Sequence, residues 1–192
     1  MSVPATPADN PLQQIVARAI ERIDRAARLA GSKVPLEDRA FRAALSRVAV
    51  ASDFAVDTFE RQPDLLQRLA TDAGATALPE PDLSTGSRDD WARALRRWRT
   101  AESTRLVWRD VLDLDDVDAT LAGTTHLAER CLQLAHDALE AEFITRHRAQ
   151  TVDLLAGLLG TADPARDAHS LVAAAEGLQL MWLIDRDTDI AG

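Results

Sequence analysis

The stretch SRDDWARALRRWRTAESTRLVWRDVL, residues 87–112, decides the fold that we predict for this chain. Ser87 is a preferred N-cap residue, and the aspartates after it suit the positive end of a helix dipole. No proline or glycine interrupts the stretch, and apolar side chains recur at steps of three and four residues. Three of the four tryptophans lie on that stripe: Trp91, Trp98 and Trp108. The pattern predicts one long amphipathic helix that the other helices pack around, with Trp98 central on its buried face.

The remaining surface of this helix is rich in arginine. A solvated face is one interpretation, and nucleic acid is a remote one. A contact surface for another domain or an acidic partner is the third, because arginine pairs in bidentate fashion with carboxylates. Charged residues one turn apart can also pair with each other inside the fold. The candidates for partner contact or for pairing in the core are Arg96, Arg99, Glu102, Arg105 and Arg109.

Composition describes an ordinary globular protein. A length of 192 residues allows one domain with a sizeable core, and 46% apolar with 28% charged residues is typical of soluble proteins. Abundant alanine, leucine and arginine favour helix over strand. A net charge of −9 argues against a nucleic-acid partner, since such binding depends on neutralising phosphates.

Targeting signals are not expected. Cys131 is the single cysteine, which excludes an internal disulfide and suits a reducing compartment. The first ten residues lack the basic and apolar regions of a signal peptide. No apolar run approaches the ~20 residues of a membrane helix. We therefore expect a cytoplasmic protein that contacts no membrane.

Caps, prolines and glycines divide the rest of the chain into helices. Residues 1–10 are predicted to form a disordered tail and residues 75–86 a loop. Gly123 is expected to close one or two short turns, after which Thr124 starts a long helix. The predicted helices cover residues 11–30, 36–51, 53–62, 64–72, 124–159 and a last segment from 164 onward. The apolar stripes predict that Phe54 is partly buried and that Leu139 and Phe143 lie on one apolar side of their helix. They also place Leu171 and Leu178 on the inner face of the last helix.

The sequence contains none of the common catalytic motifs. No glycine-rich phosphate cradle, C-x-x-C pair or H-E-x-x-H motif occurs in the sequence. His136 and Glu140 lie one turn apart, and a solvated surface pair explains them better than half a metal site. Cys131 lies on an apolar stripe and is interpreted as an inert buried thiol. The aspartates between residues 110 and 118 are interpreted as helix caps and solvated groups rather than a cation site.

Two segments carry a resemblance to a known family. LRRWRTAESTRLVWRD, residues 95–110, fits the pattern L-R-x-x-R-x-x-E-x-x-R-[IL]-x-W-R-D, and LAERCL follows at residues 127–132. Upstream, residues 48–66 contain a serine–acid–phenylalanine triplet before Q-P-D-L-L. Over about residues 35–147 the chain resembles the N-terminal region of bacterial glutamine synthetase adenylyltransferase, and all five candidates above match its pattern.

The resemblance implies a role in nitrogen assimilation. That bifunctional enzyme attaches AMP to a tyrosine of glutamine synthetase and removes it again, in response to a nitrogen-signalling protein. It uses ATP and Mg²⁺ through a nucleotidyltransferase core with G-x-G-K-x-G-G and S-D-x-D motifs, which do not follow His147 here. The resemblance therefore implies glutamine synthetase and the signalling protein as partners. It carries over no catalytic, cofactor-binding or metal-binding residue, and no activity is expected without that core.

The tail resembles a different class of protein. LVAAAEGLQLMWLID, residues 171–185, looks like the last helix of tetracycline-repressor-type regulators, which contributes to their dimer interface. The helix-turn-helix with which those regulators begin has no counterpart in residues 1–60. The resemblance implies a homodimer through the C-terminal helices. The candidate dimer residues are Leu171, Leu178, Met181 and Trp182.

These observations predict an all-α, multi-helix bundle with a C-terminal helical hairpin. The predicted organisation is a tail at 1–10, an adenylyltransferase-like helical domain at 11–147 and a regulator-like hairpin at 148–192. The primary hypothesis is a truncated or rearranged region of the adenylyltransferase that is not catalytic by itself. The alternative is a regulator-like helical dimer without a DNA-binding domain.

Overall fold

The structure, a computed structural model, describes residues 11–184, except for the side chains of residues 180 and 182–184. The predicted tail, residues 185–192 and the side chain of Trp182 therefore lie outside the described residues. The described range contains seven helices and no strand, so the all-α prediction is confirmed. The helices are α1 (Pro11–Ala30), α2 (Arg39–Ala51), α3 (Asp53–Arg61), α4 (Pro63–Asp72), α5 (Arg88–Val111), α6 (Val117–Leu158) and α7 (Pro164–Ile184).

Local capping chemistry sets most helix starts. Ser87 caps α5 by accepting from the amide of Asp90, whose carboxylate accepts from the Ser87 amide in return, which is a capping box. Ser52 caps α3 through the amide of Ala55. α2 begins three residues later than predicted because the Asp38 carboxylate accepts from two amides of its first turn.

The chain divides into two compact units, Met1–Ala135 and His136–Gly192, and α6 contributes residues to both. The boundary predicted from the sequence, between residues 147 and 148, falls inside α6. Over the described range, no helix is at once long and apolar enough to cross a membrane.

Trp108 lies at the centre of the first unit's core. Its side chain is 2% exposed and packs against Phe41 of α2 and Phe59 of α3, with ring centroids 5.6 and 6.1 Å apart. Trp98, expected to be the central buried tryptophan, is only partly buried, so that expectation is wrong. The stripe pattern fixes the buried face of α5 but not where along the helix the neighbouring helices cross it. They cover its C-terminal half, where α2 and α3 pack.

Gly123 does not end a turn, contrary to the prediction. It lies inside α6, which begins at Val117. Asp116 caps this helix, because its carboxylate accepts a hydrogen bond from the amide of Ala119. A Cβ at position 123 would come within 2.8 Å of Leu106 Cδ2 on α5. The glycine therefore allows a close approach between two helices, and its missing side chain is a packing feature.

Several apolar side chains on the predicted stripes are exposed. Phe54, Leu139 and Phe143 are all exposed, although each lies on an apolar stripe. Leu171 and Leu178 of α7 are also half exposed, so their assignment to the inner face is wrong. In the described part of the second unit, Val152, Ala168 and Val172 are buried against one another and form a small core. An apolar side chain is buried only where another element covers it.

Candidate functional site

Four polar or aromatic side chains form one stripe along α5, which we call the α5 polar stripe: Trp98, Glu102, Arg105 and Arg109. Steps of four, three and four residues place them one above another on the helix. The stripe lies beside two non-helical connections, the loop after α4 and the short turn after α5. Each member forms a hydrogen bond with one of these connections.

Three members hold the loop after α4. The Trp98 indole donates to the Leu78 carbonyl at 3.3 Å, and Glu102 Oε2 accepts from the Leu78 amide at 3.0 Å. Arg105 Nη1 donates to the Gly74 carbonyl at 2.8 Å. Glu102 and Arg105 also pair with each other at 2.6 Å, with side chains only 7% and 11% exposed. This pairing, which the sequence suggested, joins the loop to α5 through a largely buried ion pair.

Arg109 holds the turn after α5. Its Nε donates to Asp115 Oδ2 at 2.7 Å, and its Nη2 donates to the second carboxylate oxygen at 2.5 Å, which makes a bidentate pair. Hydrogen bonds from Arg109 hold the pKa of the Asp115 carboxyl below its usual range. The same pairing raises the pKa of Arg109. Both groups are therefore charged at neutral pH, and their role is to fix the turn.

Arg96 and Arg99 differ from the stripe members. Both side chains are exposed, and neither forms an ion pair with any residue in the described part of the chain. Their neighbours Arg93 and Arg97 pair with Asp90 and Asp64 at 3.1 and 3.8 Å. One turn apart on α5, Arg96 and Arg99 therefore leave two guanidinium charges at the surface without an ion pair among the described residues.

The sequence does not predict the contacts of Arg47 or the close packing around Gly74. Arg47 of α2 donates to the Val111 carbonyl at 2.6 Å and to Asp113 at 2.7 Å, which satisfies the end of α5. Gly74 has φ +74°, and a Cβ there would meet Leu69 at 2.9 Å and Arg105 at 3.2 Å. The glycine at position 74 is the one sequence feature that indicates this turn. The Arg47 contacts join residues 64 and 66 positions apart, so no local pattern predicts them.

The other sequence candidates occupy structural or surface positions. Asp115 pairs with Arg109 and Asp116 caps α6, so two of the clustered aspartates serve the helix ends. His136 lies 3.9 Å from Glu140 and 3.7 Å from Asp137, all of them exposed. Partial burial raises the pKa of the Cys131 thiol, which lowers its reactivity at neutral pH.

Fold and contacts together define an all-α domain in which one arginine-rich helix anchors the connections around it. The chain belongs to the glutamate-ammonia ligase adenylyltransferase family, whose family model matches residues 42–156. This match confirms the resemblance of the N-terminal region. It ends before α7, so the regulator-like character of the tail stays a prediction.

Similar proteins carry the name bifunctional glutamine synthetase adenylyltransferase/adenylyl-removing enzyme. One from Xanthomonas campestris pv. campestris is 51% identical over 147 residues, which is 77% of this chain and 15% of that protein. One from Stenotrophomonas maltophilia is 50% identical over 143 residues, 73% of this chain and 15% of that protein. The chain thus spans about one seventh of the length of these relatives. No solved structure is significantly similar to it.

Proposed function

We propose that this chain is a contact module of the glutamine synthetase adenylylation system, without catalytic turnover of its own. Glutamine synthetase is its partner, and Arg96 and Arg99 form the centre of the contact. The nitrogen-signalling protein is the second candidate partner. In this proposal ATP and Mg²⁺ are bound by other parts of the system.

The observation that carries the proposal is that α5 has two kinds of charged residue: some are paired inside the fold, and others are exposed and unpaired among the described residues. The stripe residues Glu102, Arg105 and Arg109 form hydrogen bonds and ion pairs within the fold, and their side chains have little exposed surface. Their charges are compensated and their positions are fixed by backbone contacts. Such groups stabilise a scaffold, whereas phosphoryl transfer needs carboxylates that hold metal ions beside a bound phosphate.

The exposed arginines support a contact role. A planar guanidinium pairs well with carboxylates, and arginine is enriched at protein interfaces. Arg96 and Arg99 place two exposed positive charges one turn apart on a single helix, in a chain whose net charge is −9. Two uncompensated cations on a rigid helix favour an acidic partner surface and steer the approach of that surface.

The relatives indicate which partner to test first. The enzymes that share about half of their matched residues with this chain are named for glutamine synthetase. The names describe those enzymes, and the matched stretch is a small part of each. Assigning the partner to this chain is therefore part of the proposal.

Two assays test it together. The chain is incubated with glutamine synthetase, labelled ATP and Mg²⁺, with a full-length relative as the positive control, and then tested for binding to glutamine synthetase by biolayer interferometry. We expect no AMP incorporation above a no-protein control, and saturable binding that weakens at high salt. AMP transfer by the chain alone would contradict the absence of turnover, and a lack of binding would contradict the contact role.

A further inference from the structure

A surface cleft lies in the first unit, between α4, α5 and the loop that joins them. It has two lobes, with volumes of about 340 and 230 Å³, which share Arg68, Leu78 and Pro79 as lining residues. Sites for small molecules usually occupy about 300–1,000 Å³. Arg68 and Pro79 are exposed, so the cleft opens to solvent. It is therefore large enough for a small ligand and accessible to it.

Hydrogen bonds fix the walls of this cleft. Gln62, at the junction of α3 and α4, donates to the Arg97 carbonyl at 3.3 Å and so joins that junction to α5. On the loop side, Leu78 is held by the Trp98 indole and the Glu102 carboxylate, as described above. A site whose walls are already fixed binds a ligand with little loss of conformational entropy in the protein.

Apolar side chains line most of the smaller lobe. Trp98 lies beside this lobe, and its indole N–H is already used by the Leu78 carbonyl, so it offers apolar ring surface to a ligand. The other apolar residues of the lining come from α4, the loop and α5: Leu65, Leu78, Pro79, Pro81, Ala94 and Ala101. Such a lining favours a ligand with an aromatic or branched hydrocarbon body.

Arg68 supplies an uncompensated charge at the point that the two lobes share. It forms no ion pair with any residue that the structure describes. In the larger lobe Asp72 balances it, since hydrogen bonds from Thr76 hold the pKa of the Asp72 carboxyl below its usual range and keep it ionised. In the smaller lobe Asp64 lies 3.8 Å from Arg97, and these two charges offset each other. The smaller lobe therefore carries one net positive charge, that of Arg68.

We infer that the smaller lobe binds a small monocarboxylate with an aromatic or branched apolar body. The carboxylate pairs with the guanidinium of Arg68, and the apolar body lies against Trp98. Charge complementarity favours an anion over a neutral analogue, and the apolar lining favours a hydrocarbon body over a small polar anion. This inference concerns the cleft alone and does not depend on the proposed contact with glutamine synthetase.

Nuclear magnetic resonance of the full ¹⁵N-labelled chain tests the inference, with phenylacetate as the probe. The indole N–H signal of Trp98, assigned by its loss in Trp98→Phe, should shift with a dissociation constant on the order of 1 mM, as expected for so small a ligand. The signal of Trp108, which is 2% exposed, should not move. No shift of the Trp98 signal at about 10 mM phenylacetate, well above that constant, would overturn the inference.

Two analogues of the probe separate charge from apolar contact. Phenylacetamide has the ring without the charge, and acetate has the charge without the ring. Each should bind at least about fivefold more weakly than phenylacetate, because each lacks one of the two contacts. Equal affinity for phenylacetamide would contradict the role of the charge, and equal affinity for acetate would contradict the role of the apolar lining.

Two matched variants locate the site. Arg68→Gln should weaken the binding of phenylacetate about fivefold, which is the effect of one partly exposed charge pair. Arg42→Gln removes another exposed arginine, which lies beside an apolar groove between α1 and α2. That groove is lined by Leu12, Val16 and Ile20 but by no aromatic ring among the described residues, so this variant should bind normally. Unchanged binding by Arg68→Gln, or an equal loss in Arg42→Gln, would overturn the assignment to the cleft.

Discussion

At the scale of single residues, Trp108 and Trp98 show what the sequence could and could not predict. The sequence pattern places both on one apolar stripe, yet Trp108 is enclosed by Phe41 and Phe59 while Trp98 is partly exposed and lies with the α5 polar stripe. Trp98 instead uses its indole N–H to hold the Leu78 carbonyl. A periodic pattern identifies the face of a helix, but burial along that face depends on the helices that cross it.

Replacing Trp108 should therefore cost more than replacing Trp98. We expect Trp108→Ala to lower the free energy of unfolding by about 3–5 kcal/mol, the usual range for truncating a buried aromatic residue. Trp98→Ala, the matched control ten residues earlier on the same helix, should cost about 1–2 kcal/mol because less area is lost. Urea unfolding followed by far-ultraviolet circular dichroism measures both. Equal costs would show that Trp108 is not the central core residue.

The Arg109–Asp115 pair makes stability depend on pH. Because the folded pKa of Asp115 is lowered, its contribution is present above its unfolded pKa of about 3.9 and is lost as the pH falls through the folded value. We expect Asp115→Asn to cost about 1–3 kcal/mol at pH 7 and progressively less below pH ~4.

Asp113→Asn is the matched control for that experiment. Asp113 also pairs with an arginine, but its side chain is 83% exposed, so the exchange should have little effect at any pH. Urea midpoints measured between pH 3 and pH 7 compare the two variants. A cost of Asp115→Asn that stays constant over that range would mean that its ionisation does not stabilise the fold.

At the scale of elements, most helix starts follow from local sequence, whereas the starts of α2 and α6 differ from the prediction. Ser52, Ser87 and the prolines that open α4 and α7 act on their own first turns, so local sequence is enough to place them. The sequence predicts a helix end at Gly123, because a glycine inside a helix usually costs stability. A side chain at position 123 would collide with Leu106 on α5, and no local sequence pattern reveals that contact.

The close approach at Gly123 gives a test by paired substitution. Gly123→Val should destabilise the chain by about 1–3 kcal/mol, because the added atoms meet the buried Leu106. Gly157→Val makes the same change in the same helix, where a Cβ meets nothing within 4 Å, and should leave stability nearly unchanged. Thermal unfolding of both proteins measures the difference. If the two variants melt alike, α5 and α6 do not depend on a glycine at this position.

The contacts of α5 were predictable only over short distances. Glu102 and Arg105 are three residues apart on one helix, and their pairing followed from helical geometry. Asp115 lies beyond the end of the helix, and Gly74 and Leu78 lie in a loop 31 and 24 residues before their partners. Such contacts depend on where the chain returns to α5, which neither periodicity nor capping determines.

At the scale of the whole molecule, α5 joins a structural role to an exposed surface. Its polar stripe fixes the connections on either side, and Arg96 and Arg99 project from the same rigid helix. The chain belongs to the adenylyltransferase family and spans about one seventh of the length of its relatives. The contact with glutamine synthetase that we propose would use this exposed surface. A helix held at both ends presents its arginines in a fixed geometry, which reduces the entropy lost on binding.

The most direct test compares the two sides of α5 in one binding experiment. Affinity for glutamine synthetase is measured for the unmodified chain, for the double variant Arg96→Ala/Arg99→Ala, and for Arg93→Ala, which removes an exposed but paired arginine from the same helix. We predict that the double variant binds at least tenfold more weakly with an unchanged urea midpoint, while Arg93→Ala binds almost normally. Undiminished binding by the double variant, or an equal loss in all arginine variants, would contradict the assignment of the contact to Arg96 and Arg99.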